Sequence, residues 1–288
     1  MNLRTQLLAI HLTKGIGIQT KTSLIKKIEN NLVPKQYPWT LNTVLGFSDS
    51  RFYGVIQNSY GEALQLAKSS TADFITYFDH QFPMRLREIY QPPLILFYKG
   101  NLKALKLPSL SVVGTRMPSS YGFQSLKYLI PPIVHQGVAI VSGLAKGIDE
   151  MSHQVTLNEN GVPIAIIGTG IDTVYPRNHV TIQHNIGETG LILSEYPNGT
   201  GPRRSHFPER NRIIAGLSSA TLVIESKKKS GSLITANVAL QNNREVLAIP
   251  GNIFSKTSEG TNDLISVGAK VVTKPTEIME SVQLLDTI

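Results

Sequence analysis

Short apolar runs recur from about residue 106 onward. They are LSVVG (110–114), VAIVS (138–142), VPIAIIG (162–168), LILSE (191–195), ATLVIES (220–226), EVLAIP (245–250) and AKVVT (269–273). Several are nearly continuous apolar stretches rather than alternations, the mark of strands buried on both faces. The spacing between most neighbours leaves room for a crossover helix, so the pattern predicts a mostly parallel sheet covered by helices. Pro131 and Pro132 fall inside the first crossover and predict a break or kink near Ile130.

The start of the chain has a different rhythm. LRTQLLAIHLTKG predicts a helix ending at Gly15, KTSLIKKIEN a second from about Thr22, and FYGVIQNSYGEALQLAKSS further helix. Lys14 to Gly17 (KGIG) then forms a helix-turn-helix junction. Such a junction either presents backbone amides to a phosphate or is simply a turn. Trp39, among apolar neighbours, is expected in a core. Residues 71–105 join the two regions, and LILFY after Pro92 and Pro93 is a strand that edges the main sheet or braces the small domain. The expected architecture is a doubly wound, Rossmann-like α/β fold with a small N-terminal helical domain. Its domains are a helical one over 1–75 and a linker with the Rossmann-like domain over 76–288.

Composition narrows the function classes. The 288 residues are 41% hydrophobic and 17% charged, which excludes wholesale disorder. The absence of cysteine removes disulfides, thiolate nucleophiles and cysteine metal sites. No signal peptide and no bilayer-length apolar run is seen, so a cytoplasmic protein without a membrane partner is expected. The formal charge of +8 raises the prospect of a polyanionic partner.

In doubly wound folds ligands bind beyond the carboxyl ends of the strands. Gly114-Thr115-Arg116 follows the first main strand, Ser142-Gly143 with Lys146 the second, and Gly168-Thr169-Gly170 the third. Glycine turns and helix starts expose amides that attract phosphate. Arg116 can add a bidentate contact and Lys146 a mobile charge. The competing reading pairs Arg116 with Asp149 or Glu195; cations on two strand-end loops favour phosphate. The dinucleotide fingerprint is absent, because Asp172 and Tyr175 occupy the region where GTGIDTVYP would need its third glycine, and no Walker A sequence occurs. Gly231-Ser232 opens a helical pattern through Gln241 whose first amides offer a further anion contact.

GPRRSHFPERNRIIAG is the second cationic stretch. Arg203, Arg204, Arg210 and Arg212 crowd it, opposed by Glu209, with His206 and Phe207 interleaved. Pro208 suits the first turn of a helix running to Ala215, with Ile213 and Ile214 facing the core and the arginines fanning toward the strand ends. Arginines beside a ring are what single-stranded nucleic acid requires; alternatively Phe207 is core and some arginines form salt bridges. Lys227-Lys228-Lys229 is a solvated loop or an extension of the same field. Asp149, Asp172, Glu195, Glu225 and His206 make no diagnostic catalytic group. Neither a G-x-S-x-G elbow nor a metal-ligand spacing is present. The carboxylates are expected to cap helices or orient arginines. No catalytic residue, metal or cofactor is expected.

With these segments quoted, the chain resembles the bacterial DNA-processing protein A family, also called DprA or Smf. SVVGTRMPSSYG, VSGLAKGID, GTGIDTVYPRNH, LILSEYPNGTGP, HFPERNRIIAGLS, ESKKKSGSLITANVAL, REVLAIPGN and SEGTNDLISVGA carry the resemblance in one order. It implies an extended Rossmann domain preceded by a SAM-like or helix-hairpin-helix-like domain. It further implies a nonenzymatic mediator that binds single-stranded DNA, dimerises, and loads RecA on incoming DNA during natural transformation. The matching positions place DNA contacts at Gly114, Thr115, Arg116, Ser142, Gly143, Lys146, Gly168, Phe207, Arg210, Asn211 and Arg212. With the sequence ending at Ile288, the winged-helix domain that some members carry is not expected. The rival classes are a nucleotide-processing, phosphoribohydrolase-like enzyme, whose P-G-G-x-G-T signature is absent, and a protein-interaction scaffold.

Overall fold

The computed structural model describes residues 1–283. The chain divides into two compact units: Met1–Phe82 with Tyr90–Phe97, and Pro83–Ile89 with everything from Tyr98 onward. In chain order the first elements are α1 (Leu3–Leu12), α2 (Ile18–Glu29), α3 (Leu41–Gly46), α4 (Tyr53–Ser69), β1 (Phe74–Thr76), α5 (Met84–Arg87) and β2 (Ile95–Gly100).

In the first unit, α1 packs on α4, burying Leu7, Leu8 and Ile10 with Ile56, Tyr60 and Ala63. Helix α2 begins at Ile18 rather than near Thr22, because extended Gly17 starts it directly after the turn at Gly15. Trp39 is buried with its ring edge-on against Phe47, and its backbone polar groups are satisfied. Its backbone N–H donates to Gln6 Oε1 (2.9 Å), and its carbonyl accepts from the Tyr60 hydroxyl (2.7 Å). Strand β1, too short to show in the hydrophobic pattern, pairs antiparallel with β2 at Phe74 and Phe97. The LILFY strand therefore pairs with β1 in this unit.

The second unit continues with β3 (Ser109–Val113), α6 (Ser120–His135), β4 (Ala139–Ser142), α7 (Ile148–Asn158) and β5 (Pro163–Ile167). Then come α8 (Val180–Thr189), β6 (Leu191–Ser194), α9 (His206–Leu217), β7 (Ala220–Val223) and α10 (Gly231–Gln241). Strand β8 (Glu245–Ala248), α11 (Glu259–Ser266), β9 (Lys270–Val271) and α12 (Pro275–Gln283) complete it. Strand order is β6-β5-β4-β3-β7-β8-β9, all parallel. The chain winds outward from β3 to β6, returns to β7 beside β3, and winds the other way. Right-handed crossovers then put α6, α7 and α8 side by side on one face and α9 with α10 on the other. This is the doubly wound, mostly parallel α/β fold that the apolar runs predict. Every residue of β3, β4, β5, β6 and β7 is buried, including Leu110, Val112, Ile140, Ile164 and Leu222.

The expected break at the double proline does not occur: α6 runs through Pro131 and Pro132 to His135. The missing N–H groups orphan the carbonyls of Lys127 and Tyr128, but both residues are exposed, so water can serve them. Ile130, Ile133 and Val134 meanwhile stay anchored in the core. Each such side chain contributes about 1.5–3 kcal/mol by burial, enough to hold the last turn in line.

Candidate functional site

The reversal of winding direction falls between β3 and β7, and the crevice beyond their carboxyl ends holds a large cavity. Its volume is about 580 Å³. A second cavity of about 330 Å³ adjoins it over β4 and β5. Gly114, Thr115, Arg116, Phe207, Arg210 and Asn211 line the first; Arg116, Gly143, Lys146, Gly168, Phe207 and Arg210 line the second. The loops that deliver them are locked together. Thr115 N–H donates to the Glu225 carbonyl at 2.8 Å, and Ile148 N–H to the Thr115 carbonyl at 3.2 Å.

The three glycines make room for protein side chains. A Cβ on Gly143 would collide with the Arg210 guanidinium, one on Gly114 would lie 2.6 Å from Ile148, and one on Gly168 would lie 3.3 Å from the Phe207 ring. Gly168 thus sets where Phe207 rests. At Gly147 φ is +84°, and a Cβ there would press on the backbone of Thr115 and Arg116.

Two of the arginines in the second cationic stretch do not fan outward. Arg210 is only 4% exposed. It donates from Nη1 to the Ile166 carbonyl and faces Asp149. Burial lowers its pKa to about 10, against the attraction of Asp149. Asp149 is buried in the first turn of α7. Burial raises its pKa; Arg210, the N–H groups of Ala145 and Gly143, and Arg116 pull it back down. Arg212 is also buried, and its Nη2 donates to Glu195 Oε1 at 2.7 Å. It lines neither cavity. Nor does Ser142, whose Oγ donates to the Val112 carbonyl at 2.6 Å. Internal partners hold both groups.

Glu225 is buried and caps the start of a helix. Its carboxylate accepts from Ser119 N–H (2.8 Å), Ser119 Oγ (2.6 Å) and Thr257 Oγ1 (2.8 Å), fixing the start of α6 to the end of β7. A buried carboxylate needs such donors. His206 is also internal, with Nδ1 3.0 Å from the Gly168 carbonyl and its ring stacked on Tyr196.

Arg116 remains exposed and forms no salt bridge among the described residues. Lys146 is exposed on the neighbouring loop. Exposed Arg177, Arg204 and Lys227 join them in lining the cavities. Ser230, Ser232 and Thr235 from the start of α10 close the far side. Tyr175, which the sequence reading noted only for spoiling a glycine fingerprint, lines both cavities beside Phe207. Among the described residues, Asp149 is the only carboxylate lining either cavity.

A doubly wound α/β domain with a cationic, ring-bearing crevice at its switch point defines a class of polyanion-binding proteins. Within that class, the chain belongs to the DNA recombination-mediator protein A family, whose sequence profile matches residues 73–283. The DNA processing protein DprA of Streptococcus pneumoniae is 47% identical over 201 residues, covering 70% of this chain and 71% of that protein. An X-ray structure of the S. pneumoniae protein superimposes with a TM-score of 0.89 at 37% identity, covering 97% of this chain and 98% of that one. A structure of DNA processing protein A from Helicobacter pylori, described for its single-stranded DNA binding mode, gives a TM-score of 0.66 at 29% identity. It covers 75% of this chain and 98% of that one.

Proposed function

We propose that the paired cavities bind single-stranded DNA without reading its sequence, and that the protein is a nonenzymatic recombination mediator. The observation that carries this reading is the lining. Five exposed cations, Arg116, Lys146, Arg177, Arg204 and Lys227, surround two aromatic rings, with one buried carboxylate among them. Cations follow a phosphate backbone and rings take any base, so affinity arises with little sequence preference. The H. pylori relative's single-stranded DNA binding mode supports the choice of nucleic acid. Loading of RecA on incoming DNA during transformation, action as a homodimer and a cytoplasmic site rest on the family resemblance. Among the described residues no helix is long and apolar enough to cross a membrane.

The test is fluorescence anisotropy with a labelled oligonucleotide of mixed sequence, in competition with unlabelled duplex. Tight, strand-selective binding is expected. Arg116→Ala is expected to weaken all sequences alike by about 1–3 kcal/mol, the range for a lost charge-assisted contact. Unchanged affinity in a folded variant removes Arg116 from the site. Absence of binding even at low salt, with product formed from a nucleoside monophosphate, would favour a nucleotide-processing enzyme instead.

A further inference from the structure

We propose that Tyr175 and Phe207 form a two-ring wall dividing the crevice into two compartments, with Tyr175 supplying a second base-stacking surface. The inference rests on the reading of the crevice as a single-strand site. The two rings come from different elements: Tyr175 from the β5–α8 connection, Phe207 from the first turn of α9. Their centroids are 5.6 Å apart at 38°. Both line both cavities, together with Arg116, Ala145 and Arg210.

The spacing decides how a base meets the wall. Inserting a base between two rings needs about 7 Å, two stacking layers of about 3.4 Å each. At 5.6 Å and tilted, the rings already touch and leave no slot. Bases must therefore stack on their outward faces. Tyr175 has such a face, because 43% of its surface is open.

Charge complements the geometry. The smaller cavity is lined by Arg116, Lys146, Arg177 and Arg210 and, among the described residues, by no carboxylate. The larger adds Arg204 and Lys227 and contains Asp149. Arg116 is the exposed cation common to both, so a phosphate crossing the wall passes it. A strand laid this way places one nucleotide in each compartment, with consecutive bases parted by the wall. That requires unstacked, unpaired bases and excludes a duplex on shape, whatever its sequence.

The test compares two ligands of equal length, a mixed-sequence oligodeoxynucleotide and one with abasic sites throughout, by anisotropy at about 50 mM salt. Tyr175→Ala is expected to weaken the base-bearing strand roughly ten-fold, in the range for one stacked base, and to leave the abasic strand unchanged. Tyr175→Phe should bind as the parent does. Tyr175→Leu, which keeps apolar bulk without a ring, should behave as Tyr175→Ala does. Loss on both ligands alike, or on neither, overturns the wall while the single-strand reading stands. A parent protein that binds neither ligand overturns both.

Discussion

His153 is fully buried in α7, close to Arg210 and His179, below the loops that carry Gly143 and Lys146. Burial is the main reason its pKa falls from 6.5 to about 3; a hydrogen bond with the Ser142 backbone opposes the fall, and proximity to Arg210 and His179 adds to it. The sign follows from linkage. Between those values the unfolded chain binds a proton that the folded chain refuses, so this group's contribution to stability is lost as pH falls from 6.5 toward 3. At about pH 5 the loss amounts to about 2 kcal/mol. Chemical unfolding of the parent and of His153→Leu across this range should show the parent losing that much more. Parallel pH profiles would remove His153 as the cause. The same residue scale explains where reading by residue type stopped. Arg210 and Arg212 look in sequence like Arg116, yet their partners, the Ile166 carbonyl and Glu195, are brought in by other strands. Burial is a property of the folded sheet, and spelling does not carry it. Tyr175 is hidden from reading by residue type for a related reason. Its value depends on a ring contributed by α9, 32 positions away in the numbering.

At the scale of elements, the crevice depends on loops holding one another. The turn into α7 has Gly147 at φ +84°, with Thr115 and Arg116 backbone where a side chain would start. Gly147→Ala therefore both strains the turn and pushes on the β3–α6 loop. An expected cost of about 1–3 kcal/mol of stability follows from the backbone conformation. A measurable loss of DNA affinity should accompany it, because Arg116 and Lys146 flank the displaced segment. Thermal unfolding and anisotropy on the same preparation check both. A lower melting temperature with intact affinity would separate the turn from the site. The strands themselves were legible because each is a short apolar run buried on both faces, a signal that needs no tertiary knowledge. Three elements were less so. Strand β1 has only three residues, Phe74–Thr76. Helix α2 starts at Ile18, with Gly17 before it and no side-chain cap to announce it. Helix α6 keeps its course through two prolines because core packing outweighs the local penalty.

At the scale of the molecule, the question is whether the formal charge of +8 acts as a diffuse field or is focused in the crevice. Salt dependence separates the two. Each phosphate neutralised on a single strand contributes about −0.7 to the slope of log affinity against log salt. Arg116, Lys146, Arg177, Arg204 and Lys227 are the exposed cations that line the cavities. If each meets one phosphate, the slope is about −3.5, and raising salt from about 50 to 200 mM lowers affinity roughly a hundred-fold. The focused arrangement makes a sharper demand: removing one of these side chains should shorten the slope by about 0.7, while removing an exposed cation at the other end of the strands, such as Lys106 just before β3, should not. Anisotropy titrations of the parent, Arg116→Ala and Lys106→Ala at four or more salt concentrations provide the comparison. Equal slopes for all three would mean that the strand responds to the overall charge, and the crevice would lose its claim to the phosphates. A shortened slope for Arg116→Ala alone would mean that the winding reversal between β3 and β7 gathers counterion release into one place, with the parallel sheet positioning the charges it uses.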